Sequence, residues 1–124
     1  MAIKVISSLF CVLTLASTGC HGGDKGRQYY TPVQYLKNYA LSACIADGYE
    51  AADVIRDASA GANGYMELGS LDIEAYNEAL LLGRKFLAKE YMSKRGEKLI
   101  IMKCIDLFHS KELDQLARKY SRIK

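Results

Sequence analysis

The sequence predicts an all-α protein, a compact bundle of four to five helices. Three observations carry that reading. From Thr31 onward, apolar side chains recur at the roughly 3.6-residue period of a helix. No stretch alternates as a half-buried strand does, and no Asn-Gly or Asp-Gly pair sits between β-branched runs. Start and stop signals fall at the ends of the periodic runs.

The first helix opens at Thr31-Pro32-Val33-Gln34, with Thr as N-cap, Pro at the first helical position and Gln completing a capping box. It places Leu36, Tyr39, Ala40, Ala43 and Cys44 on one face and is expected to stop near Asp47-Gly48, with Gly48 as its terminator. A second, Ala-rich helix is expected from about Tyr49 to Ala60. Gly61 and Gly64 leave its end ambiguous, with continuation as a distorted turn through Tyr65-Met66 the alternative, and Glu67-Leu68-Gly69 reads as a link. Ser70 reads as the cap of a third helix, whose first turn carries Asp72 and Glu74 and whose inner face carries Tyr76, Ala79, Leu80, Gly83, Phe86 and Leu87. A charged connection follows. The fourth helix begins near Glu97, and Leu99, Ile101, Met102, Cys104, Ile105 and Phe108 wrap most of its circumference, which predicts the central helix. Ser110 restarts the path, and Leu113, Leu116, Ala117 and Tyr120 form a last apolar stripe.

The chain has 124 residues, half of them hydrophobic and a quarter charged, which suits one domain and excludes a disordered or low-complexity chain. Residues 1–19 read as a signal peptide: Lys4, an apolar run from Val5 to Ala16, then Ser17, Thr18 and Gly19. Residues 20–30 read as a flexible tether and residues 31–124 as a single helical domain. Ser17-Thr18-Gly19-Cys20 resembles a lipobox, which makes Cys20 a candidate for lipidation; Ser17 stands where Leu is usual. Net charge is +3, falling to about +2 without Lys4. Acidic and basic residues alternate, so nucleic acid is not expected as a partner.

Cys11 leaves with the signal, and Cys44 and Cys104 fall on apolar helix faces. In an oxidising compartment they form a natural pair, whose loop of about 60 residues would contribute roughly 4 kcal/mol. Two buried thiols acting as small hydrophobes are the alternative.

Catalytic chemistry finds no support. His109 follows Cys104 by five residues, about 140° around the helix, so the two do not form a pair. A helix-end histidine is the simpler reading. No metal-ligand spacing is present, and Asp47, Asp53 and Asp57 read as a solvated face. No catalytic residue, metal or cofactor is expected. Nine tyrosines and no Trp point instead to a partner surface, because Tyr offers apolar area with a polar tip. Tyr39 and Tyr76 fall on core faces; Tyr65, Tyr91 and Met92 fall in connections.

Several segments resemble the Tai4 family, immunity proteins of type VI secretion amidase effectors. They are Tyr35 to Ser42 with Cys44-Ile45-Ala46, Gly64 to Ser70, Met102 to Ser110, and Glu112 to Tyr120. The segment around Cys104 is the most specific. The resemblance implies a small, exported, helical homodimer that blocks a cognate papain-like peptidoglycan amidase in the periplasm, and it makes Cys44–Cys104 a family disulfide. Lipidation at Cys20 would depart from a soluble periplasmic protein. A periplasmic lipoprotein scaffolding an envelope complex is the competing reading.

An inhibitor must outcompete substrate in a cleft, so a protruding connection is the economical device. The connection from Lys89 to Glu97 is the first choice, with Tyr91, Met92, Lys94 and Arg95 as expected partner-binding residues. The connection from Tyr65 to Ser70, with Tyr65 and Glu67, is the second. The outer face of the third helix, with Glu74, Glu78 and Lys85, is expected to assist.

Overall fold

Five helices follow one another in the computed structural model, which describes residues 26–122: α1 (Pro32–Gly48), α2 (Ala52–Leu68), α3 (Ile73–Leu87), α4 (Ile100–Phe108) and α5 (Lys111–Ser121). No strand occurs among the described residues. The expected signal segment, Cys20 and the first half of the tether lie outside them.

The start of α1 forms as its sequence dictates. Gln34 donates its backbone N–H to Thr31 Oγ1 at 3.3 Å, and the Thr31 N–H returns a bond to Gln34 Oε1 at 2.9 Å. Its end differs from expectation. Gly48 is the last helical residue, and Tyr49, in extended conformation, is the cap. A Cβ at Gly48 would collide with the Ile100 side chain and approach Leu87 Cδ2 to 3.0 Å, so this glycine serves close approach rather than a left-handed stop.

α2 runs eight residues past its expected end, straight through Gly61 and Gly64 to Leu68, with Gly69 as cap. Each glycine costs about 1 kcal/mol against Ala. The contact of α2 with α1, the most extensive in the fold, outweighs that cost. The supposed connection from Tyr65 to Ser70 is therefore mostly helix. The cap of α3 is Asp72, not Ser70, and it makes no side-chain capping bond. Ser110, where the sequence marks a restart of the path, is the cap of α5 and accepts from the Leu113 N–H at 3.1 Å.

The hub is α1, which touches all four other helices. It buries Tyr35, Leu36, Tyr39, Ala40, Ala43 and Cys44, and the small residues among them let neighbours come close. α4 was expected in that central place but buries only Lys103, Cys104 and Leu107. Ile101, Met102 and Ile105 face outward, 44%, 53% and 46% exposed. Cys44 and Cys104 are bonded, with Cα atoms 5.6 Å apart, so α4 is bolted covalently to the hub. Gly83 of α3 faces this junction: a Cβ there would lie 3.5 Å from Leu107 Cδ2 and 3.7 Å from Cys44 Cβ.

Candidate partner interface

The segment between α3 and α4, residues 88–99, is the longest non-helical stretch within the bundle. It is nevertheless ordered by its own side chains. Ser93 Oγ accepts from the backbone N–H groups of Arg95 at 3.2 Å and Glu97 at 3.3 Å, and its hydroxyl donates to the Glu97 carboxylate. That bond holds the Glu97 carboxyl below the usual range. The turn is completed by Gly96 at φ 81° and by Leu99, which adopts φ 52° and ψ 40° just before α4. A left-handed leucine carries strain of about 1–2 kcal/mol, which the surrounding contacts must hold.

Tyr91 is half-buried, and its hydroxyl donates to the Asp106 carboxylate on α4. The hydrogen bond to Asp106, then burial, raise the phenol above its ordinary value. Lys103 Nζ lies 5.7 Å from the Tyr91 ring centroid and donates to the Leu87 carbonyl at 2.9 Å, at the end of α3. Met92, next in sequence, is 98% exposed, and Lys94 and Arg95 are exposed at the turn. At the base of this segment, Ile101 and Met102 line an apolar groove with Gly48, Tyr49 and Ala51. The Lys98–Glu50 ion pair, at 2.5 Å, stands on its rim.

The second candidate segment sits elsewhere. Tyr65 is on α2 and joins Tyr30 and Tyr35 in a ring cluster, with centroids 6.2 and 6.5 Å away. Glu67, also on α2, is exposed. On α3, Glu74 and Lys85 are exposed, whereas Glu78 is engaged by Lys119 at 3.0 Å and Tyr120 at 2.7 Å. Those two partners lower the Glu78 carboxyl, the Tyr120 bond contributing most.

Sequence reasoning missed Lys103 and Asp106. The one signal available was that they are the only charged residues in the apolar run from Leu99 to Phe108, three apart and so on one face. His109 ends α4 and rests edge-on against Phe108, 5.2 Å between centroids. Asp47 pairs with Arg84 at 2.9 Å. Among the described residues, no three His, Cys, Asp or Glu side chains gather closely enough to hold a metal ion, and no helix is long and apolar enough to cross a membrane.

The family model for Tai4, the type VI secretion system amidase immunity protein, matches residues 34–117. Among solved structures, the chain is similar to one in the Tae4/Tai4 effector–immunity system from Salmonella typhimurium. Identity is 36% and the TM-score 0.69, over 73% of this chain and 89% of that one. It is also similar, at 27% identity and TM-score 0.64, to a chain from a study of type VI-secreted toxins and self-resistance proteins in Serratia marcescens, over 77% of this chain and 87% of that one. A chain in the Tae4–Tai4 complex from Enterobacter cloacae shares the fold, at 20% identity and TM-score 0.64, over 71% of this chain and 90% of that one. No curated protein matches.

Proposed function

Because the chain belongs to the Tai4 family of type VI secretion amidase immunity proteins, we propose that it neutralises a cognate amidase by inserting the 88–99 segment into the active-site cleft. It is an immunity protein and not an enzyme. The observation that supports this mode of inhibition is Met92, a large apolar side chain 98% exposed at the head of a self-braced turn. Apolar side chains held in water gain most when a partner covers them. Lys94 and Arg95 flank it and suit an acidic cleft rim, and Tyr91 supports the base. Tyr65 and Glu67 on α2 are the second candidate for the contact.

The amidase is a papain-like peptidoglycan hydrolase acting in the periplasm, and the immunity protein meets it there as an exported homodimer. Cys20 either carries a lipid tether, or an ordinary signal peptidase releases a soluble protein. Cys20→Ser moves the protein from the membrane fraction to the soluble one in the first case; unchanged fractionation assigns processing to an ordinary signal peptidase.

Titration calorimetry with the cognate amidase, paired with a lysis-protection assay, tests the contact. Met92→Ala combined with Lys94→Ala is expected to weaken binding by about thirtyfold and to leave thermal stability unchanged, since both side chains are exposed. Unchanged affinity moves the contact to Tyr65 and Glu67. No binding by the wild type to any amidase rejects the inhibitory role.

A further inference from the structure

We propose that Asp106 and Lys103 are positioning residues, holding Tyr91 as a strut so that Met92 projects from the 88–99 segment. Its consequence for binding rests on the function proposed above; the strut itself does not.

Three observations support it. First, Tyr91 and Met92 are neighbours with opposite fates. Tyr91 is half-buried with its hydroxyl on Asp106, and Met92 is 98% exposed. Turning Tyr91 inward in a non-helical stretch leaves the next side chain facing out. Second, Lys103 is the one charged residue among the buried side chains described, at 9% exposure. A buried charge is costly unless satisfied, and packing alone asks for nothing more than a methionine of similar length. The ammonium is spent on the segment: its hydrogen bond goes to Leu87, where the segment leaves α3, and the Tyr91 ring lies beside it. Third, the base is rigid. Cys104, between the two positioning residues, is bonded to α1, so a tyrosine held by Asp106 is referred to the hub of the bundle.

Amide hydrogen exchange over residues 89–99 of the mature protein reads the strut without any amidase. Asp106→Ala is expected to speed exchange there by about tenfold and to leave α1 unaltered. Asp106→Asn keeps an oxygen that accepts from the Tyr91 hydroxyl and should restore slow exchange. Lys103→Met should also speed exchange in the segment while the protein stays folded. In binding kinetics, Asp106→Ala slows association, because fewer molecules hold the segment ready, whereas Met92→Ala speeds dissociation. Unchanged exchange in Asp106→Ala, or no rescue by Asp106→Asn, overturns the strut. Unchanged exchange in a folded Lys103→Met removes Lys103 from it. Faster exchange in Asp106→Ala with amidase binding indifferent to both Asp106→Ala and Met92→Ala upholds the strut and rejects the proposed contact instead.

Discussion

The hydroxyl of Tyr76 fills the place where a side chain on Gly69 would begin. Tyr76 is 2% exposed on α3 and meets the edge of Tyr39 at 5.0 Å between centroids. Its oxygen makes no hydrogen bond of full geometry. Burial raises the phenol above its ordinary value, and the nearby Leu71 backbone only partly offsets this. The ring enters this deep because the residue that caps α2, Gly69, has no side chain.

Gly69→Ala should therefore lower stability by about 1–3 kcal/mol, as overpacking does. Tyr76→Phe removes an unpaired hydroxyl and should change stability by less than about 1 kcal/mol. Combined, the two should cost less than their sum, because the phenylalanine vacates the space the new methyl needs. Urea unfolding of all four proteins measures the coupling; strictly additive costs would count against the contact.

At Gly48, two substitutions separate two roles. A left-handed terminator accepts Asn better than Ala, whereas a close-approach glycine prefers the smaller side chain. The crowding by Ile100 and Leu87 predicts that Gly48→Ala costs about 1–3 kcal/mol and Gly48→Asn more. Thermal melts rank them directly.

Cys44 and Cys104 should resist alkylation in non-reduced protein and react once reduced and unfolded. Replacing both by Ala is expected to lower stability by about 2–4 kcal/mol. Two alkylated cysteines in native, non-reduced protein would contradict the bond.

Lys37 and Asp114 tie α1 to α5 at 2.6 Å, with side chains 16% and 41% exposed. The hydrogen bond from Lys37, more than its charge, lowers the Asp114 carboxyl. A carboxyl lowered by folding stabilises above its unfolded range, and the gain disappears as pH falls through the folded value. A double-mutant cycle with Lys37→Met and Asp114→Asn should give about 0.5 kcal/mol at neutral pH, discounted for exposure, and progressively less as pH falls below the usual carboxylate range. A coupling independent of pH would point to packing instead.

Much of this molecule was legible from local signals. The capping box at Thr31 and the cysteine pair each depend on few residues and form as the sequence predicts. The end of α2 is ambiguous in the sequence at Gly61 and Gly64 because propensity is local, whereas the α1 contact that accompanies their helical conformation is not. α4 reads as the central helix because its residues are apolar on every side. Composition cannot say which side a neighbour covers, and only Cys104 and Leu107, with Lys103, are covered. Of the candidate interface, only exposure was legible. Met92, Lys94 and Arg95 read as unlike core and are exposed, whereas the Asp106 contact is a hydrogen bond to a residue fifteen positions earlier.

The bond between Cys44 and Cys104 also changes what a protease can do to this protein. Its ring of chain encloses α2, α3 and the exposed turn around Lys94 and Arg95, a sequence open to trypsin-like cleavage. One cut there severs the backbone yet releases nothing, since both fragments stay joined through sulfur. The nicked molecule keeps its mass apart from one added water and migrates as two pieces only after reduction. A scission at this exposed turn therefore leaves the bundle in a single covalent unit.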